Sequence, residues 1–440
     1  MSSKVSNWTN YPIVEGDLIE HSFSEAVAQE VMAEGDVIAR GNGRCYGDAS
    51  LGKKMLSTLK LNNILAFDKK NGVIHAQSGV LLEKILKLVV THGWFLSVTP
   101  GTKFITVGGA IASNVHGKNH HKEGGFSNFV DELEIIDPKG KLVSASRDHN
   151  QDLFNTTLGG MGLTGIIISA KIRLKPITSS YIRMTSVKAR NLAEMMRVFE
   201  GNKNCTYTMA WIDTLQASKS LGRGIVMLGE HASANEVKKP TLKNELKQLL
   251  TIPFYFPGWM LNRLTIKIFN LLYYGKQLKR KADKITHYDP FFYPLDSIHD
   301  WNKMYGKRGF IQYQAVIPLS KSKEGIKELL LAISKSRFGS FLAVLKLMGK
   351  EDNDISFPME GYTLALDFPI KEGLFDFLVK LDAIVIHHGG RIYLSKDARM
   401  SKETFFKTYR WKELKNLLNE IDPNDKFQSF LSHRLELKGS

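Results

Sequence analysis

The chain of 440 residues contains only two cysteines, Cys45 and Cys205. Two thiols cannot build a disulfide framework, and neither belongs to a CxxC pair, so a cysteine-based metal centre is excluded too. Long hydrophobic runs are missing as well. No uninterrupted apolar stretch approaches the ~18 residues that a spanning helix requires. The opening MSSKVSNWTNYPIVEGD lacks a basic flank followed by an apolar core, so it does not read as a secretory signal. These absences predict a cytoplasmic protein. Acidic residues are in short supply: 44 Asp and Glu stand against 60 Lys and Arg, a formal net charge of +16. That excess predicts an anionic partner, whether a phosphorylated substrate, an acidic lipid surface or nucleic acid. No RNP, helix-turn-helix or zinc signature accompanies it, and nucleic acid is set aside on that ground. The length and an apolar fraction of 43% predict two or three ordinary globular cores.

The periodicity predicts an α+β protein. FSEAVAQEVMAE (23–34) reads as an amphipathic helix, DVIAR and GVIHAQSGV as strands, and LLEKILKLVVTHG (81–93) as a helix ended by Gly93. FVDELEIIDPKGKLVSAS alternates around DPKG as a hairpin does. From about 180 to 390 the texture changes. TYTMAWID, GRGIVMLG, GFIQYQAVIP, FLAVLKLMG and YTLALDFPI read as strands, while GIKELLLAISKS and GLFDFLVKLDAIVIHHG read as helices. An antiparallel sheet with covering helices is predicted there. KETFFKTYRWKELKNLLNEI is predicted as one helix, followed by a mostly polar tail. Residues 249–284, dense in leucine and aromatics, end in Lys276, Lys279, Arg280, Lys281 and Lys284. They read either as a buried helix with a solvated basic end or as a segment lying at a lipid interface.

Three glycine-rich motifs carry the chemistry. The first is Arg40-Gly41-Asn42-Gly43-Arg44-Cys45-Tyr46-Gly47. A dinucleotide fingerprint needs GxGxxG followed by a helix; here the third glycine comes one position late and DASLGKKMLSTLKL is no amphipathic helix. The loop can still offer main-chain N–H groups to a diphosphate. The second motif, TPGTKFITVGGAIASNVHGKNHHKEGG (99–125), has Gly101, Gly108 and Gly109 for close backbone approach, then His116, Lys118, His120 and His121. It lacks HExxH spacing, so a phosphate or substrate contact is a better reading than zinc. The third is LGGMGLTGIIISAKIRL (158–174).

These motifs, in this order, resemble the FAD-binding domain of the vanillyl-alcohol-oxidase-type (PCMH-type) flavoproteins. Within them the chain is most similar to the oxidase subunits of decaprenylphosphoryl-ribose 2′-epimerases. YPLDSIHDWNKMYGKRGFIQYQAVIP, GYTLALDFPIK and GGRIYLSKDARM extend the resemblance over nearly the whole length. It implies a two-part FAD domain, residues 1–178 plus the returning tail 391–440, with a substrate domain at 179–390 inserted between them and 249–284 as its lid or membrane-contact segment. It implies an FAD-dependent oxidation of the 2′-hydroxyl of a polyprenyl-phosphate-linked pentose, completed by a separate NAD(P)H-dependent short-chain reductase, at an anionic membrane surface. The alternative is a soluble aldonolactone- or alditol-type oxidase using oxygen, which would lack an apolar lid.

The same resemblance assigns residues. Lys396 and His116 are expected at the reacting alcohol, with Tyr46, Lys118, Gln312, Gln314, Lys346 and Asp367 around the substrate. Gln312 and Gln314, two apart on a strand, share one face. The cofactor contacts are expected from residues 40–47 (Arg40, Gly41, Asn42, Gly43, Arg44, Cys45, Tyr46, Gly47), Gly101, Thr106, Val107, Gly108, Gly109, Ser113, Asn114, Val115, His116, Ile167 and Tyr393, with no metal. Arg44 stands where many relatives carry a histidine that tethers the flavin, so noncovalent FAD is implied. Ala365 stands where mycobacterial relatives carry the cysteine to which nitroaromatic inhibitors attach, so no such adduct is expected here.

Overall fold

A computed structural model describes residues 2–237, 242–244, 250–351 and 356–439. The first part of the chain forms two small sheets. One is four-stranded, in the order Ser3–Ser6, Ile13–Glu20, Lys54–Ser57, Ile38–Arg40. The other centres on the long strand Ile166–Pro176, flanked by Val73–Gln77 and by the predicted hairpin Val130–Ile136/Leu142–Ser146. The predicted helices appear as Ser24–Met32 and Leu82–Val89, the latter tightening into a 3₁₀ turn that stops at Gly93 with φ +81°. Residues 48–61 form turns and the Lys54–Ser57 strand, not a helix, so the first glycine loop does not open a dinucleotide fold.

Residues 181–392 build an eight-stranded antiparallel sheet. Its order is Lys281–His287, Tyr181–Ala189, Gly224–His231, Tyr207–Ile212, Ala343–Met348, Gly361–Pro369, Phe310–Pro318, Arg391–Ile392. Side chains alternate between its two faces. On one face Ile311, Tyr313, Ala315, Leu345, Leu364 and Leu366 are buried in the largest core with residues of the helices Ser322–Lys335 and Leu374–His387. The opposite face is polar at its centre. The register pairs Gln312 with Asp367, Gln314 with Ala365 and Lys346 with Thr363, and these six line one patch. That patch is turned towards the glycine motifs of the first part of the chain.

The C-terminal region departs from its sequence reading twice. The single expected helix is two, Lys402–Thr408 and Trp411–Ile421, broken at Tyr409. Tyr409 takes an extended backbone because its ring is buried against Phe405 and its hydroxyl donates to the Ile392 carbonyl at 2.6 Å. The expected polar tail is folded: Phe427 bridges Val37, and the helix Phe430–Leu435 buries Leu431 and Leu435 in the main core. Lys438 and Asp422 form an ion pair there with no exposed surface on either side chain.

Residues 250–284 are likewise not one helix. The described part holds the short strand Leu250–Thr251, the helix Arg263–Gly275 and the edge strand Lys281–His287; Leu249 lies outside the described residues. Asn262 caps the helix, accepting from the N–H groups of Leu264 and Thr265. Its inner side is pinned by fully buried Asn270, whose amide donates to Asp213 at 2.7 Å, and by Tyr273 against Trp211. Its outer stripe of Leu264, Ile268, Leu271 and Leu272 faces solvent.

Candidate active site

The polar patch meets the second glycine motif at His116. Lys346 Nζ lies 3.0 Å from His116 Nδ1, and the Gln314 amide nitrogen 3.0 Å from Nε2. The same amide nitrogen is 3.2 Å from Thr363 Oγ1. Its two hydrogens therefore serve the imidazole lone pair and the threonine oxygen. This leaves the ring proton on Nδ1, facing a Lys346 amine that can accept it. The electrostatics agree. Burial, then the charges of Lys118 and Lys396, push Lys346 down to about 7. Burial and Lys346, followed by His120 and Lys396, hold His116 well below the usual imidazole range, so the ring is neutral. Phe357 and Tyr393 pack on its faces at 5.9 and 5.6 Å.

A second cluster lies around Lys396. This residue follows the strand Arg391–Ile392 in a 3₁₀ turn, and its ammonium sits 3.4 Å from the centroid of the Tyr46 ring. Burial lowers it to about 8, opposed by Cys45 and Asp367. Asp367 is pushed up to about 7 by burial, although Gln312, Lys396 and Tyr305 favour its ionised form. Gln312 donates to it at 2.6 Å and Tyr305 at 3.3 Å. Lys118 is buried with its ammonium on the Phe292 carbonyl at 3.1 Å, and burial lowers it to about 7. Lys346 thus lies within electrostatic reach of both Lys118 and Lys396, while only Lys396 is coupled to the Asp367 carboxyl, so the lysines outnumber their acidic partners.

The structure brings together His116, Lys346, Gln314 and, around Asp367, Gln312, Lys396 and Tyr46. It adds Thr363 and Tyr305, which the sequence reading missed. Thr363 was detectable, since Thr363, Ala365 and Asp367 alternate along one strand; Tyr305 carries no local signal. Several expected cofactor residues spend their side chains on the protein. Arg40 binds Asn7 and the Ser6 carbonyl, Asn42 donates to the Phe104 carbonyl, and Asn114 donates to Ser356 at 2.9 Å while accepting from the Ser127 N–H. Cys45 donates to the Ser395 carbonyl at 3.1 Å. Ile167 is core. Among the described residues no group of three or more His, Cys, Asp or Glu is placed to hold a metal.

Comparison with known proteins settles the family. Residues 23–146 match the FAD binding domain model. The chain is 37% identical over 414 residues to the decaprenylphosphoryl-β-D-ribose oxidase of Mycolicibacterium smegmatis, covering 91% of this chain and 89% of the relative. The chain belongs to the decaprenylphosphoryl-β-D-ribose oxidase family. An uncharacterized protein of Streptomyces coelicolor is 28% identical over 81% of this chain and its own full length. The D-lactate dehydrogenase of Anaerostipes hadrus shares 33% identity over 30% of this chain and 29% of its own.

The protein is accordingly an FAD-dependent oxidoreductase, and its residues fit that cofactor. The oxidase leaves the Gly108, Gly109, Ser113 and Val115 backbone half-exposed behind the Thr106 cap, which accepts from the Gly109 N–H. Ser78 Oγ, against Gly108, is buried without a partner. The small residues so placed let a diphosphate-bearing group approach closely, beside the unpartnered Ser78 hydroxyl. Two loop glycines answer a packing demand instead. A Cβ on Gly47 would overlap the Asp397 carbonyl, and one on Gly41 would overlap Thr106 Oγ1. The first motif is therefore pressed against both the second motif and the C-terminal segment.

Proposed function

We propose that the protein oxidises the 2′-hydroxyl of a polyprenyl-phosphate-linked pentose to the keto sugar with noncovalently held FAD. This is the first half of a 2′-epimerisation of the kind that supplies arabinan-type cell-wall precursors, and a separate NAD(P)H-dependent short-chain reductase completes it. The observation that carries the reading is the polar patch Gln312, Gln314, Thr363, Lys346 and Asp367 on an otherwise apolar sheet, converging on His116 and Lys396. Residues 1–178 and 391–440 serve as the FAD domain and 179–390 as the substrate domain.

FAD, when bound, supplies the acceptor for the hydride that leaves the alcohol carbon. The protein must hold that carbon in place and take the hydroxyl proton. The Lys346 amine is the proton acceptor, since burial holds it to about 7 and so leaves an uncharged fraction near neutrality, and the neutral His116 ring positions it. Lys396 balances negative charge that develops during transfer. The amides of Gln312 and Gln314 hold sugar hydroxyls. Tyr393 fixes the second motif by donating to the Ser113 carbonyl at 2.9 Å. Cys45 is no tether: burial raises its thiol and its hydrogen is committed to Ser395. Anaerobic bleaching of the purified protein's visible spectrum by a lipid-phosphate pentose tests the whole reading; no bleaching by any such sugar would sink it.

The proton-accepting role gives a pH dependence. Lys346 accepts only as the amine, so the flavin-reduction rate should fall about tenfold per pH unit below its apparent value near 7. That limb belongs to the coupled group, Asp367 included, and not to one residue. Stopped-flow traces from pH 5.5 to 8.5 check it, and Lys346→Met should flatten the limb.

An anionic membrane surface is the expected workplace. No described helix is long and apolar enough to cross a bilayer. The Arg263–Gly275 helix instead suits lying in its plane. Its outward stripe Leu264, Ile268, Leu271 and Leu272 is flanked by exposed Phe254, Trp259 and Leu278. From Thr251 to Ala282 there is no acidic residue. An apolar face in a segment whose charged residues are all basic matches an anionic interface. Flotation with anionic liposomes at low salt should recover the protein, and the triple variant Leu264→Ser/Leu271→Ser/Leu272→Ser should lower the bound fraction at least about tenfold.

A further inference from the structure

Arg44 is built differently from the other inward-facing arginines. Arg40 binds Asn7, Arg223 pairs with Asp213, Arg399 with Asp382, and Arg434 with Asp48 and Asp397. The Arg44 guanidinium instead lies 3.8 Å from the centroid of the Trp8 ring and 5.5 Å from that of Phe104. Among the described residues it donates no hydrogen bond and forms no ion pair. The acidic groups nearest it in effect, Asp296 and Asp300, are already engaged, by the Lys103 N–H at 2.8 Å and the Lys303 ammonium at 2.9 Å. A guanidinium held by an aromatic face keeps its in-plane N–H donors available. It is fixed in position, charged and short of an acceptor.

Its place in the molecule narrows the acceptor. Two residues on, Tyr46 carries the Lys396 ammonium on its ring. On the other side Trp8 packs edge-on against Trp301, at 5.6 Å. From Trp301 a row of packed rings runs through buried Phe310 and Tyr305 and then Phe341 to Phe269 of the exposed apolar helix. The order is a polar patch suited to a sugar, a guanidinium without a hydrogen-bond acceptor among the described residues, a small aromatic core, and an exposed apolar surface. A sugar phosphate ester of a long isoprenoid alcohol has its groups in that same order. Phosphate oxygens match the guanidinium fork, which bonds two of them at once.

We propose that Arg44 binds the phosphate of the lipid-phosphate substrate, rather than the cofactor, with the isoprenoid chain directed towards the exposed apolar helix Arg263–Gly275. This rests on the substrate class proposed above, and its test does not need turnover. Calorimetry of the FAD-loaded enzyme with farnesyl phosphate, against farnesol as the uncharged control, reads the site directly. The wild type should bind farnesyl phosphate at least tenfold more tightly than farnesol. Arg44→Gln should lose that preference while keeping its flavin-to-protein absorbance ratio, and Arg44→Lys should restore part of it. Loss of flavin in Arg44→Gln would place the residue on the cofactor and overturn the proposal. So would unchanged farnesyl phosphate affinity in Arg44→Gln, or no preference for it in the wild type. A wild type that binds farnesyl phosphate through Arg44 yet is not bleached by any lipid-phosphate pentose would leave this site standing and reject the proposed reaction.

Discussion

Lys396→Met should lower the rate constant for flavin reduction by about a thousandfold, the scale seen when one preorganised charge-stabilising donor is removed. The ammonium is already oriented, since the Tyr46 face holds it 3.4 Å from the ring centroid, and the Asp367 carboxyl favours its charged form. Methionine keeps the length and apolar stem, so packing survives and the loss reports charge. Burial has brought Lys396 down to about 8, so the wild-type ammonium is charged at pH 7 and is lost as the pH rises through that value. Anaerobic stopped-flow at saturating sugar checks the prediction. A loss under tenfold, with flavin content unchanged, would remove Lys396 from the reacting centre.

Arg434→Leu is the second large expected effect, on stability. Arg434 reaches from the last helix to Asp48 and Asp397, both at 2.8 Å. These carboxylates are almost wholly buried, at 5% and 2% side-chain exposure. Removing their shared partner leaves two like charges in a dry interface. Such unpaired buried charge costs about 3–5 kcal/mol. Asp397 is kept below the usual carboxylate range, against the opposing effect of burial, by Arg434 and Arg399. Thermal denaturation of the holoenzyme should show the loss, and flavin should leave at a lower temperature, because Asp48 and Asp397 adjoin Gly47 and Lys396. An unchanged melting temperature would show that the tail is not held by these pairs.

The elements that the sequence showed most clearly are those with strong local periodicity. Leu82–Val89, the hairpin around DPKG, and the strands carrying Gln312/Gln314 and Lys346 all follow from alternation or helical spacing. The site was legible where polar residues interrupt apolar strands, because a buried amide or lysine on a sheet demands a partner. What stayed hidden depends on distant contacts. Tyr409 breaks a helix whose local propensity is good, because burial of its ring and hydroxyl outweighs one more helical turn. Residues 422–439 look polar as a string, yet Phe427, Leu431, Leu435 and Leu437 are buried and Phe430 packs partly buried against the main core. The ring contacts of Arg44 are equally hidden, since nothing nearby in sequence announces Trp8 or Phe104 as its neighbours.

The contact between the first glycine loop and the segment before Lys396 has a consequence for how the protein is made. The Tyr46 N–H and the Cys45 thiol both bond to the Ser395 carbonyl, across 350 residues of chain in the case of the thiol. A nascent chain emerging from the ribosome therefore cannot finish this loop until almost all of it has been synthesised. The early module must wait with its loop unbraced while the eight-stranded sheet assembles, a long-range closure that folds slowly and exposes apolar surface. Cofactor capture is then expected after release rather than during synthesis. Pulse-labelled ribosome-bound chains stalled shortly before residue 395 should carry no flavin.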